Sequence, residues 1–362
     1  MKQVKPAIPS MPKILPMPKT LHFHESNGPV DEAIYDLMEK AGGIRQYKYI
    51  REMIIAALKA GQEDEDQADL RLMNTTLKEM RFTAKIFGPY RQVKKVTVFG
   101  SARIMPDESA YKTAVSLGKK LQQAGYMVIT GGGPGIMQAV NEGAGARYSF
   151  GINIQLPFEQ KANHIVDGNP KSVSYKYFFN RKVAFIKEAH AVVLFPGGFG
   201  TLDEAMEILT LVQTGKRNLM PLILIDPPES NYWKTWIRFL KTELMVQGYI
   251  NPPDFNLFQL VDNVEKAVEI INKFYKRFHN LRYVGKKLVI RMNSKISEKK
   301  IQGLNKSFSD ILVHGGKILS SGPLPEESDE PSLAHHPRLV LDFDRSNFGR
   351  LRKMIDVIND YE

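Results

Sequence analysis

Two glycine-rich turns and a pair of adjacent carboxylates are the residues of this sequence best suited to chemistry. The first turn, Thr130-Gly131-Gly132-Gly133-Pro134-Gly135-Ile136-Met137, follows the apolar run Tyr126–Thr130 and leads into a helical stretch, Pro134–Gly145. Consecutive glycines let backbone N–H groups approach a ligand, and the following helix adds the positive end of its dipole. A phosphate is the natural occupant, with a tight unliganded turn as the competing reading. The second turn is Phe195-Pro196-Gly197-Gly198-Phe199-Gly200-Thr201-Leu202-Asp203-Glu204, with Thr201 placed to cap the next helix. Asp203 and Glu204 then fall in its first turn. They either meet the sugar of a bound phosphate ester or merely complement the helix dipole. A third cluster, Tyr175 to Lys182, reads as aromatic and basic side chains on one helix. It would suit a stacked base and a neutralised phosphate, although aromatics at helical spacing are usually core.

Other chemistries lose ground on residue type. Counting from Gly131, the sixth position of a dinucleotide fingerprint is Ile136 rather than a small residue, and no acid ends the next strand, Gly151–Leu156. No Gly-Lys-Ser/Thr follows, so the turn is not a P-loop. The absence of cysteine excludes disulfides, thiolate metal sites and cysteine nucleophiles. His335-His336 lacks further ligands at metal spacing, so no metal is expected. His164 reads as an incidental loop histidine, and His190, just before an apolar strand, as structural. The basic run Lys273–Arg282, interleaved with Phe274, Tyr275 and Phe278, reads as a solvated helix face rather than an RNA surface.

These turns need a scaffold, and the hydrophobic pattern supplies one. Strand-like runs at Val96–Phe99, Tyr126–Thr130, Gly151–Leu156, Ala191–Phe195 and Pro221–Ile225 alternate with helical stretches. The helices are Tyr111–Ala124, Pro134–Gly145, Val173–Ile186, Thr201–Thr214, Trp233–Met245 and Val264–Phe278. This calls for an α/β fold, a Rossmann-like doubly wound parallel sheet covered on both faces, with ligands at the carboxyl ends of the strands. The expected organisation is a proline-rich arm at 1–28, a helical region at 29–92, a nucleotide-binding catalytic domain at 93–280 and a small α+β C-terminal domain at 281–362. In the last, Lys287–Met292, Lys317–Ser321 and Arg338–Phe343 read as strands, Ser297–Leu312 and Asn347–Asp360 as helices, and Glu326–Pro337 as a polar loop.

At 362 residues, 43% hydrophobic and 25% charged, the composition is that of an ordinary soluble globular protein. The net charge of +11 favours anionic partners without separating nucleic acid from small phosphates. No window of 18 or more apolar residues appears, and Met1–Thr20 lacks the apolar core of a secretory signal. A cytoplasmic protein with no membrane and no nucleic-acid partner is expected.

Taken together these residues resemble the LOG (Lonely guy) or lysine-decarboxylase-like family. Its pattern P-G-G-x-G-T-x-x-E stands here without departure as Pro196–Glu204. The G-G-G-x-G-[IL]-M turn is Gly131–Met137, the upstream Arg-Lys pair is Arg181-Lys182, and the opening strand ends in Phe99-Gly100-Ser101-Ala102-Arg103. The resemblance spans roughly residues 94–275, and the flanking regions are similar to a longer bacterial subgroup. It implies a phosphoribohydrolase that cleaves a nucleoside 5′-monophosphate, AMP or a related purine nucleotide first, into free base and ribose 5-phosphate. Arg181 and Glu204 become the implied catalytic pair. Gly100, Ser101, Gly131, Gly132, Gly133, Gly135, Met137, Lys182, Gly197, Gly198, Gly200, Thr201 and Asp203 become the implied substrate-binding set, with Phe178, Phe179 and Met137 as candidates for the base wall. Glu204 would either activate water or stabilise an oxocarbenium-like state. No cofactor is implied, since the lysine and pyridinium partner that pyridoxal phosphate needs do not appear as a constellation. The family also implies a homodimer or higher homo-oligomer, with the helix of the 200s near the interface. The alternative is a nucleotide-binding sensor with little or no turnover.

Overall fold

The computed structural model describes residues 20–63, 66–156 and 162–361. Pro6, Pro9, Pro12, Pro16 and Pro18 of the expected arm, Asp64 and Glu65 of the acidic run, and Lys161 lie outside the described residues. The described residues form two compact units, divided between Lys78 and Glu79. In the first, α1 (Pro29–Ala41) and α2 (Tyr47–Glu63) precede the start of α3 (Gln67–Phe87). Ile34, Met38 and Ile55 form its small core. Arg51 of α2 ties that helix to α1 and to the segment ahead of it, donating to Asp31 at 2.8 Å and to the carbonyl of Phe23 at 2.7 Å.

The second unit begins within α3 and is dominated by a parallel sheet. In chain order it contains β1 (Lys95–Phe99), α4 (Ser109–Gln123), β2 (Met127–Thr130), α5 (Ile136–Ala144), β3 (Ser149–Ile154) and β4 (Ser172–Tyr175). Then come α6 (Phe178–Glu188), β5 (Ala191–Leu194), α7 (Phe199–Gln213), β6 (Leu222–Ile225), α8 (Tyr232–Phe239), β7 (Gln259–Val261) and α9 (Val264–Arg277). The strand order is β4-β3-β2-β1-β5-β6-β7, with every pair parallel. Strand side chains alternate between two apolar layers: Val192 and Leu194 join one, Ala191 and Val193 the other. Both faces are therefore dry, which is why these strands read as unbroken apolar runs.

Three elements differ from the sequence reading. Val173–Ile186 is not one helix, because Ser172–Tyr175 pairs with β3 as the edge strand β4 and the helix starts only at Phe178. The Tyr175 ring is buried, with its hydroxyl paired to Thr83 of α3, and the carboxylate of Glu79 accepts from the Lys176 N–H and from Asn180 at 2.6 Å each. Strand β7 is three residues long, too short to show a period. The basic run also breaks in two, since α9 ends at Arg277 and β8 (Phe278–Val284) turns away. Arg277 is buried rather than solvated, donating to the carbonyls of Lys295 at 2.6 Å and Tyr361 at 3.0 Å.

The C-terminal part is a four-stranded antiparallel sheet, ordered β10-β11-β9-β8, from β9 (Lys287–Met292), β10 (Ile318–Ser321), β11 (Arg338–Leu341) and β8. It carries α10 (Glu298–Ser307) and α11 (Phe348–Asp360). Leu351, Ile355 and Ile358 of α11 belong to the same apolar cluster as Leu222 and Phe274. The segment 326–337 is more than a polar loop, because it buries Glu327 between two arginines. Arg291 Nε donates to Oε1 at 2.8 Å and Arg338 Nε to Oε2 at 3.2 Å, and all three side chains are about 1% exposed. Burial alone would raise the Glu327 carboxyl. The Leu324 N–H and the two guanidinium groups outweigh it and bring the group down to about 2.

Removing this carboxylate strands two buried cations, so Glu327→Ala is expected to cost about 3–5 kcal/mol in urea unfolding. A carboxyl depressed from 4.5 contributes its stability above that pH and loses it as pH falls through about 2. The gap between parent and variant should therefore narrow over that window. A gap below about 1 kcal/mol at pH 7 would mean the triad is not a structural centre.

Candidate active site

Strand order reverses between β1 and β5, so the loops leaving their carboxyl ends diverge and open a crevice. The Ser101 N–H donates to the carbonyl of Pro196 at 3.0 Å, and the Ile136 N–H to the carbonyl of Ser101 at 3.0 Å. Three loops are thus laced together through backbone. Such close approach explains two glycines. Gly135 caps α5 at φ +67°, and a Cβ there would lie 2.4 Å from the Ser101 carbonyl oxygen; one on Gly197 would lie 2.1 Å from Thr201 Oγ1. The crevice has a volume of about 730 Å³. The structure brings Gly100, Ser101, Met137, Arg181, Gly197, Gly198, Gly200, Thr201, Asp203 and Glu204 to its wall, together with Phe178.

Other expected site residues are not on that wall. Gly131 sits behind it, where a Cβ would come within 2.6 Å of both Arg181 Nη2 and Met137 Sδ. Gly132 and Gly133 turn their carbonyls to Asn163, which donates to them at 2.7 and 3.0 Å, and Gly135 packs on Ser101 and Ala102. These two carbonyls, and the Gly132 N–H that donates to Thr130 Oγ1 at 3.1 Å, fold the turn. Phe179 stacks on Tyr177 and is also absent from the wall. Two details of the second turn change as well. Gly198, not Thr201, is the N-cap of α7, and Asp203 and Glu204 lie beyond the first turn, so dipole compensation does not account for them. Phe199, 93% exposed, Arg103 and Tyr232 join the wall without having been expected there. Tyr232 comes from α8, and its hydroxyl donates to the carbonyl of Gly197 at 2.7 Å. Asp226 at the end of β6 sets that helix start by accepting the Trp233 N–H at 3.1 Å.

Glu204 is the chemically unusual group. It is 8% exposed and one carboxylate oxygen, Oε2, has no hydrogen-bond partner among the described residues. Burial raises its carboxyl to about 7, against the opposing pull of Lys182 and Arg181 and with the support of Glu207 and Asp203. Lys182, expected to bind substrate, instead lies behind the wall, with its ammonium 2.7 Å from Asp203, 2.9 Å from Glu207 and 3.5 Å from Glu204. It holds the carboxylate face of α7 in place. Arg181 donates through Nε to the Ile152 carbonyl at 3.1 Å and lies over the Phe185 ring. Burial lowers its pKa, and the charge of Glu204 opposes the shift. The arrangement can bind an anion at the start of α7, where the first N–H groups have no intrahelical partner, and present a cation and a poised carboxylate beside it. His164 is not on the wall, and His190 is a structural residue that accepts the Lys95 N–H.

Residues 136–271 match a family model described as "Possible lysine decarboxylase". The chain is similar to the cytokinin riboside 5′-monophosphate phosphoribohydrolase LOG7 of Arabidopsis thaliana, with 24% identity over 192 residues covering 52% of this chain and 85% of the relative. It is also similar to the rice (Oryza sativa subsp. japonica) protein named probable cytokinin riboside 5′-monophosphate phosphoribohydrolase LOG4, at 28% identity over 185 residues, 50% of this chain and 76% of the relative. Among solved structures, that of TM1055 is 25% identical, with a TM-score of 0.36 over 50% of this chain and 99% of its own.

The Glu204 environment makes a stability prediction. A carboxyl raised from 4.5 to about 7 penalises the folded state as pH climbs between those values, because the unfolded chain ionises first. Glu204→Gln should therefore melt several degrees above the parent at pH 8, a gain on the order of 3 kcal/mol. At pH 4.5 the two should melt together. A parent more stable than the variant at pH 8 would mean that Glu204 is not desolvated.

Proposed function

We propose that this chain, whose α/β domain belongs to the LOG or lysine-decarboxylase-like family, hydrolyses the N-glycosidic bond of a nucleoside 5′-monophosphate. The products are free base and ribose 5-phosphate, and a purine nucleotide such as AMP from the cytoplasmic pool is the first substrate to test. The observation that carries this reading is the buried, half-unpartnered carboxylate of Glu204 beside Arg181 on the wall of a crevice headed by a helix N-terminus.

In this reading the 5′-phosphate sits at the start of α7, held by the Gly197–Thr201 turn and Ser101. Gly131 acts at one remove, by leaving room for Arg181 and Met137. Anchoring the phosphate lays the ribose along α7 toward Glu204. The bond from the anomeric carbon to the base breaks through an oxocarbenium-like state, water supplies the new oxygen on that carbon, and the base leaves with a proton. Glu204, as carboxylate, either takes the proton of the attacking water or stabilises the developing positive charge. Arg181 holds phosphate or ribose oxygens. Phe178 and Met137 offer apolar surface to the base. No lysine lines the crevice among the described residues, and Lys182 is engaged by three carboxylates, which weighs against a Schiff-base decarboxylase at this site. The exposed apolar side chains Phe178, Val183, Phe199 and Met206 on α6 and α7 favour a homodimer or larger homo-oligomer built near the crevice.

Incubation with each common nucleoside monophosphate, followed by chromatography of the base and ribose 5-phosphate, is the direct test. Glu204→Ala and Arg181→Ala are each expected to lose at least about 10²-fold in kcat/KM. Both roles offered for Glu204 need the ionised form, so kcat/KM should rise with pH through about 7. Nucleotide binding without any base release would favour the sensor instead, and near-normal turnover in Glu204→Ala would remove the assignment.

A further inference from the structure

A second concave site lies at the other end of the same sheet. A cavity of about 320 Å³ opens by the amino-terminal ends of β1, β5 and β6, where it is lined by Arg91, Lys94, His190, Arg217, Tyr275 and His279, among others. Strand β1 is five residues long, so this cavity and the glycine turns are separated by roughly 16 Å of strand.

Its lining is cationic without compensation. Arg91, Lys94 and Arg217 face it, and no aspartate or glutamate among the described residues does. The Lys94 ammonium rests over the Tyr275 ring at 4.4 Å rather than in an ion pair. Arg217 donates through Nη2 to the carbonyl of Ala189 at 2.6 Å, while its buried Nε has no partner among the described residues. Glu188, whose charge reaches Arg217, is itself held 2.5 Å from Lys187 and 3.9 Å from Lys95. His190 registers the field: burial, then Lys95, Arg217 and Lys94, hold its pKa down to about 4. Its Nδ1 accepts the Lys95 N–H at 3.2 Å, which leaves the ring proton on Nε2 as a neutral donor. Nδ1 of His279 is also buried without a hydrogen-bond partner among the described residues.

We propose that this cavity is a binding site for a phosphate-type anion of at least two charges, separate from the crevice that holds Glu204. Partly desolvated cations that share a concavity repel one another, and a multivalent anion removes that repulsion while satisfying the idle Arg217 Nε. Two guanidinium forks and one ammonium match the oxygens of a phosphate or diphosphate. Arg217 follows the carboxyl end of α7, so an occupant would sit at one end of the helix whose other end carries Glu204.

Isothermal titration of the full chain with inorganic pyrophosphate at low ionic strength tests the site. The expected result is saturable binding that weakens at least about tenfold in the double variant Arg91→Ala, Lys94→Ala and in Arg217→Met. Binding should persist in Arg181→Ala, which removes a crevice residue and its contacts with Ile152 and Phe185 but none of this cavity's lining. Arg91 and Lys94 are exposed, and the side-chain contact the double variant gives up among the described residues is that of Lys94 with the Tyr275 ring, so it reads binding even if Arg217→Met unfolds. Absence of pyrophosphate binding to the parent, binding unchanged in the double variant, or binding abolished by Arg181→Ala would each overturn the proposal.

Discussion

The site depends on three loops meeting backbone to backbone at the point where the sheet reverses its winding. Parallel strands place all their carboxyl ends on one edge, but only at the junction of β1 and β5 do the outgoing chains part to opposite sides. The bonds from Ser101 to Pro196 and from Ile136 to Ser101 close that junction. They require main chains without side chains between them, which is what Gly135 and Gly197 provide. Once the loops are closed, α5 and α7 begin at the same small space, which is lined by the joined loops and by the first turns of α6, α7 and α8.

The electrostatics follow from that closure. Glu204 is dragged into a desolvated position because α7 must start against the β1 loop. A carboxylate there would be intolerable without Lys182 behind it and Arg181 near it. The balance is deliberately incomplete, since one oxygen stays unpartnered and the carboxyl titrates near neutrality instead of well below it. Contrast Glu327, which is as deeply buried but fully satisfied by two arginines and a backbone N–H, and is held at about 2. The same residue type is fully paired in one place and left titrating near neutrality in the other, and the number of donors around it makes the difference.

Much of this was legible in one dimension. The alternation of apolar runs and helical stretches specified a parallel sheet because strands buried on both faces must be apolar throughout, as in β1, β5 and β6. The glycine turns and the Pro196–Glu204 pattern located the crevice. What escaped were features defined by partners distant in sequence. Strand β4 has four residues and exists only by pairing with β3, and β8 hides in a basic run because its strand character comes from β9. That Lys182, Gly132 and Gly133 stand off the crevice wall escaped for a related reason. Spacing tells which residues are near the turn, but not which face the ligand and which face the protein.

The sequence by itself therefore determined the layer architecture and the two glycine turns, since burial period and backbone freedom are local properties of residue type, whereas Glu204 and Arg181 were singled out by the resemblance of the surrounding motifs to a family. Tertiary structure alone decided that Tyr232 and Arg103 reach the crevice, that Lys182 stands behind Glu204, and that three cations from two loops converge at the opposite edge of the sheet. Ionisation and recognition depend on how many charges and donors surround a group in space, and that count is fixed only when the chain has folded.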